Sequence, residues 1–161
     1  MRSYIKHLFF LLFFGTLFLS ACGDGQYKTL YHQTVSFPDH QWKNTYKPTF
    51  SFTIADTTQV HLLKMVLRTT SSFPYANLWL KLSIRGPKSF DTKLEVPITD
   101  PSGKWLGEKS GSVVNISKII VNDNFPKPGK YTVVFEQVSL PLVIPELLDI
   151  TLDLFETKGG K

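Results

Sequence analysis

The chain has 161 residues, 42% hydrophobic and 19% charged, with thirteen Phe, six Tyr and three Trp. That is room for one packed domain, and it excludes a disordered chain and a multidomain enzyme. A single cysteine excludes an internal disulfide and a cysteine-based metal cluster, and the formal charge of +5 is scattered rather than gathered on one stretch.

Met1 to His7 carries Arg2 and Lys6 and no acid, and the apolar run Leu8 to Leu19 follows, which is the layout of a secretory signal. The run is twelve residues long, short of the roughly 20 that cross a hydrocarbon core, so no permanent spanning helix is expected. It ends in Leu19-Ser-Ala-Cys22, which resembles the lipobox of bacterial lipoproteins, where the signal is cut before the cysteine and the thiol takes lipid. The resemblance implies a signal peptide over 1–21, a lipidated tether over 22–31 and one domain over 32–161. Cys22 would then carry diacylglycerol and an N-acyl chain such as palmitate, with no other cofactor. Two or more chains, at about 0.8 kcal/mol per buried methylene, hold a protein stably where one does not. Gly23 rather than Asp follows the cysteine, and residues 23–28 lack a cluster of acids, so the resemblance further implies the outer membrane and its periplasmic face. Losing Arg2 and Lys6 leaves 16 basic against 13 acidic side chains, a net +3. An exported domain with so weak a balance is not expected to bind nucleic acid.

Beyond the tether, apolar residues recur at period two between turn residues, the pattern of half-buried antiparallel strands. The first strand is expected near Tyr31 to Phe37, then Phe50 to Ile54, and His61 to Leu67 with Leu63, Met65 and Leu67 on one side. Leu78 to Ile84, Lys93 to Val96, Val113 to Val121 and Tyr131 to Val138 follow. Leu148 to Leu154 closes the set with the cleanest alternation, which predicts one wet face bearing Asp149 and Asp153. Turn signals stand at Phe37-Pro-Asp39, Phe73-Pro74, Gly86-Pro87, Asp100-Pro-Ser-Gly103 and Pro126-Lys-Pro-Gly129, and Pro141 to Pro145 reads as a connector. About eight short strands at this spacing predict an all-β, antiparallel two-sheet sandwich of jelly-roll or Greek-key type, with a closed barrel as the alternative.

Little in the chain points to chemistry. Gly103-Lys-Trp-Leu-Gly107-Glu has three residues between its glycines and no Lys after the second, so it is not a phosphate loop; it reads as a glycine loop closing over Trp105. His32, His40 and His61 are not spaced as metal ligands, and no Ser sits in a nucleophile elbow. No catalytic residue, metal site or small-molecule substrate is expected, and the chain is not expected to be an enzyme. Asp149 and Asp153, about 13 Å apart by strand rise, are expected to be solvated. Trp42, Trp79, Trp105, Tyr46, Tyr75 and Phe90 could stack on sugar rings if they shared a face, although burial accounts for most such residues. Trp79 is the exception, because Leu78, Leu80 and Leu82 claim the inner face around it.

Several segments, taken in order, resemble the gliding-motility lipoprotein GldH family. They are Cys22; Trp42 with Phe50-Ser-Phe-Thr-Ile-Ala-Asp56; Arg68 with Tyr75-Ala-Asn-Leu78; Asp100-Pro-Ser-Gly-Lys-Trp-Leu-Gly107; Gly129-Lys-Tyr131 with Phe135-Glu-Gln137; and Ile144 to Glu156. Family members often carry glycine near position 145, where this chain has Pro145. The resemblance implies a non-enzymatic envelope lipoprotein, an adaptor or structural component of gliding motility and the associated type IX secretion machinery, whose partners are the membrane and other envelope proteins. The residues expected at the contact surface are Arg68, Tyr75, Asn77, Trp79, Asp100, Gly103, Trp105 and Gly107. A glycan-binding sandwich lipoprotein is the alternative.

Overall fold

In the computed structural model the described residues are 26–139 and 141–157, so Cys22 and the signal segment lie outside them. The chain forms β1 (Tyr27–Ser36), a 3-10 turn (Pro38–His40), β2 (Gln41–Lys43), β3 (Thr49–Ile54), β4 (His61–Thr70), β5 (Asn77–Arg85) and β6 (Phe90–Pro97). Then come β7 (Glu108–Ser110), β8 (Val113–Asp123), β9 (Gly129–Gln137), β10 (Val143–Pro145) and β11 (Leu147–Thr157). One sheet has the order β1-β11-β4-β8-β7 and the other β3-β9-β5-β6, with a small ribbon of β10 and β2 beside them. All pairings are antiparallel. The eight long strands pass from sheet to sheet at every connection except β5 to β6, which is jelly-roll order.

The alternation in the sequence fills the space between the sheets. Ile54, Leu63, Met65, Leu67, Leu80, Leu82, Val133, Ile150 and Leu152 are buried there. Aromatic rings bridge the layers: Tyr31 lies 5.7 Å from Phe52, and Phe52 stacks 6.2 Å from Tyr131. Trp42 is fully buried and stacks on Phe37 at 4.7 Å, with its indole N–H donating to the Tyr46 carbonyl.

Three expectations change in detail. The first strand begins at Tyr27, so residues 27–31 of the expected tether are in the sheet. The Pro141–Pro145 connector contains β10, and β2 and β7 are further strands; each has three residues, too few to show a period. Pro145 is tolerated because β10 is an edge strand.

The registers sort the connections into two ends. Tyr27 pairs with Thr157, His61 with Asp123, Ile54 with Gly129, and Ile84 with Phe90, so the 55–60, 86–89 and 124–128 turns share the end where β1 starts. The longer connections 37–48, 71–76, 98–112 and 138–146 gather at the opposite end.

Candidate functional site

The opposite end holds an open groove of about 400 Å³ lined by Tyr75, Asn77, Leu78, Trp79, Lys93, Val138, Ser139 and Ile144. Because β5 buries Leu78, Leu80 and Leu82, Trp79 is turned outward and is 41% exposed. Its backbone carbonyl accepts from Val138 N–H at 3.1 Å, which continues the β5–β9 pairing into the groove wall. Val138 is exposed beside it, and Leu142, at 63%, is more open to water than any other large apolar side chain among the described residues. Asn77 Nδ2 donates to Glu95 Oε1 at 2.9 Å, and Tyr75 is held edge-on to Phe73 at 5.6 Å. Buried Gln137 ties the adjoining connection together: its Nε2 donates to the Leu142 carbonyl at 3.2 Å, while its Oε1 accepts from Ser139 N–H at 3.0 Å.

The 98–107 loop is stitched to the groove through one residue. The Ala76 carbonyl, between Tyr75 and Asn77, accepts from Ile98 N–H at 2.8 Å and Thr99 N–H at 3.1 Å. Thr99 pairs with Trp105, which is half-buried. Asp100 organises the turn between them, accepting from Ser102 Oγ at 2.7 Å, Ser102 N–H at 2.8 Å and Lys104 N–H at 2.9 Å. These bonds, the Ser102 hydroxyl first among them, hold its carboxyl below the usual range. Gly103 supplies the φ of +83° that the turn needs. Gly107 serves close approach instead: a Cβ there would lie 2.3 Å from the Asn115 carbonyl oxygen and 2.5 Å from Ile116 Cδ1. Asp100, Gly103 and Gly107 therefore shape the loop, leaving Trp105 and the flanking 75–79 segment to present a surface.

Arg68 does not join them. It projects from β4 on the outer face of the five-stranded sheet, whereas Asn77 and Trp79 lie on the outer face of the other sheet. Arg68 Nε lies 2.9 Å from both Asp149 oxygens and Nη2 lies 2.5 Å from Oδ2. Asp153 is flanked by His32 Nδ1 at 2.5 Å and Lys64 Nζ at 3.4 Å, and the Thr34 and Thr151 hydroxyls bond at 2.7 Å. The two aspartates are not solvated, contrary to expectation: Asp149 is 3% exposed and Asp153 7%. Strand β11 is flanked by β1 and β4, and the long side chains of both fold over it. Alternation told the face correctly but could not tell that this strand is internal.

The remaining histidines are separate. His40 stands in the 3-10 turn, and His61 is buried edge-on to Phe125 at 5.4 Å, with neither ring nitrogen hydrogen-bonded. Among the described residues no three His, Cys, Asp or Glu side chains gather as a metal site. Sequence reasoning missed Gln137 and Leu142; a polar residue on the apolar period of β9 was the available signal for the first.

These features define a jelly-roll domain with an aromatic-lined groove at its loop end. The profile of the GldH lipoprotein family matches residues 29–153. Over 132 residues the chain is 31% identical to the "Gliding motility lipoprotein GldH homolog" of Christiangramia forsetii, covering 80% of this chain and 78% of that one. The chain belongs to the GldH lipoprotein family. Among solved structures it is similar to the infectious bursal disease virus VP2 subviral particle, with a TM-score of 0.35 and 13% identity over 81% of this chain and 33% of that one. It is also similar to the Gx strain structure of that virus, with a TM-score of 0.33 and 12% identity over 83% and 32%. The chain spans about a third of the length of these viral chains, and so loose a superposition transfers nothing about function.

Proposed function

We propose that the protein is a non-enzymatic adaptor of the gliding motility and type IX secretion machinery, held by lipid on Cys22 at the periplasmic face of the outer membrane. Its groove and adjoining loop dock another envelope protein. Membership of the family and the name of its C. forsetii relative support the setting. The observation that carries the docking role is the exposed apolar surface of Trp79 and Val138 on a preformed recess, with Leu142 exposed in the adjoining 138–146 connection. Surface of this kind is kept exposed where a partner covers it.

The test is Trp79→Asp in the native host. Trp79 is 41% exposed and lies opposite Glu95, so the change should cost about 1–3 kcal/mol and leave a folded domain by circular dichroism, while gliding and adhesin secretion fall and crosslinks from a photoreactive group at position 138 disappear. Full motility with unchanged crosslinks would remove the groove from the account. A second reading, glycan binding, is favoured by one observation, since Tyr75, Trp79, Asn77 and Lys93 place rings and polar groups in one recess. Saturation of the groove by envelope oligosaccharide, with no protein crosslinks, would establish it instead.

A further inference from the structure

The early start of β1 constrains how the domain can stand on a bilayer. Between Cys22 and Tyr27 there are five Cα steps, at most about 18 Å when fully extended. An anchored chain therefore keeps the end of the sandwich bearing Tyr27 close to the lipid. The strands are ten or eleven residues long, so the loops of the opposite end stand about 35 Å away.

The end bearing Tyr27 is furnished for contact. Tyr27, Val60 and Phe90 are exposed there, each at the end of a strand or in a turn. Thr157 N–H donates to the Val60 carbonyl at 3.0 Å, and Asn124 Nδ2 donates to the Thr58 carbonyl at 3.3 Å, tying the turns into one surface. A cleft of about 180 Å³ opens between Phe90, Val121, Phe125 and Pro126, with Lys88 and Asp123 also lining it. Lys88 and Lys127 form no ion pair with any described carboxylate. Apolar side chains with Lys88 and Lys127 beside them suit the boundary between headgroups and acyl chains, the exposed Asp56 and Asp123 staying on its aqueous side.

We infer that the Tyr27–Val60–Phe90 end, with Lys88 and Lys127, rests on the lipid surface and that the Trp79 groove points away from it. The inference rests on the lipid anchor at Cys22 proposed above. The occupant is the bilayer to which the chain is tethered; a second protein at this end, or a domain lying on its side, is an outcome of the test.

The experiment uses the full-length lipidated protein in vesicles of phosphatidylethanolamine and phosphatidylglycerol. An acylated Cys22 leaves no other thiol, so Ser89→Cys at the lipid-facing end and Ser112→Cys at the far end can each carry a single fluorophore. Quenching by a nitroxide on the lipid should be severalfold stronger at position 89 than at 112, and Phe90→Ser combined with Lys88→Glu and Lys127→Glu should reduce it without releasing the protein. Failure to float with the vesicles would overturn the lipid anchor and this inference together. Flotation with equal quenching, or stronger quenching at 112, would overturn the orientation alone and leave the anchor intact.

Discussion

The outer faces of the two sheets handle unusual residues in opposite ways. On the five-stranded sheet, Asp149 and Asp153 are covered by Arg68, His32 and Lys64 from neighbouring strands, so both buried carboxylates are answered by a basic side chain. At the loop end of the four-stranded sheet, Trp79 and Val138 remain open on a recess and Leu142 is exposed in the adjoining connection, and none of the three is buried by the described residues. The contrast separates residues that hold the fold from residues available to a partner. Arg68, paired with Asp149, lies on the sheet away from the groove.

The strongest way to break the contrast is to remove Arg68. Arg68→Ala leaves the 3%-exposed Asp149 uncompensated, and chemical denaturation should show a loss of about 3 kcal/mol, the lower part of the range for a broken buried pair because half of the Arg68 side chain meets water. Pairing Arg68→Met with Asp149→Leu should recover most of it, while crosslinking at the groove stays unchanged. Failure of the single variant to destabilise would return Arg68 to the list of contact residues.

A smaller effect is expected at the loop. Gly107→Ala inserts a methyl 2.3 Å from a backbone oxygen, and the loop must move off β8 at a cost of about 1–3 kcal/mol. Thermal unfolding measures it, and partner binding should weaken too because Trp105 moves with the loop. The finest effect is in acid. The Asp100 carboxyl is held below its ordinary value of about 3.9, so its contribution is fully present above that value and is lost as the pH falls through the depressed one. The protection of the Lys104 amide relative to its intrinsic exchange rate should fall over that interval in the wild type, and this fall should be absent in Asp100→Asn.

Periodicity disclosed much of the architecture. Phe50 to Ile54, Leu78 to Ile84 and Leu148 to Leu154 all lie in strands, and the outward turn of Trp79 followed from its neighbours. What could not be read was which strands are adjacent, because pairing partners are far apart in sequence. Asp149 illustrates this, since Arg68 lies 81 positions away. The groove is similar: Tyr75, Asn77 and Trp79 are close in the chain, but Val138 and Ile144 arrive only through the β5–β9 pairing and the return to β11. Glu146, in the turn between β10 and β11, has a φ of +63° that an L side chain seldom adopts, and no residue type in the sequence signalled it.

The antiparallel seam between β1 and β11 also has a mechanical meaning. A pull applied at residue 27 and resisted at the loop end runs along the strand axis. The ladder from Tyr27–Thr157 to Ser36–Asp149 is then strained in shear, with its rungs sharing the load instead of unzipping one after another. Under the anchor and docking proposed above, a domain threaded this way would transmit traction to whatever grips its far end, yielding only when the whole seam gives.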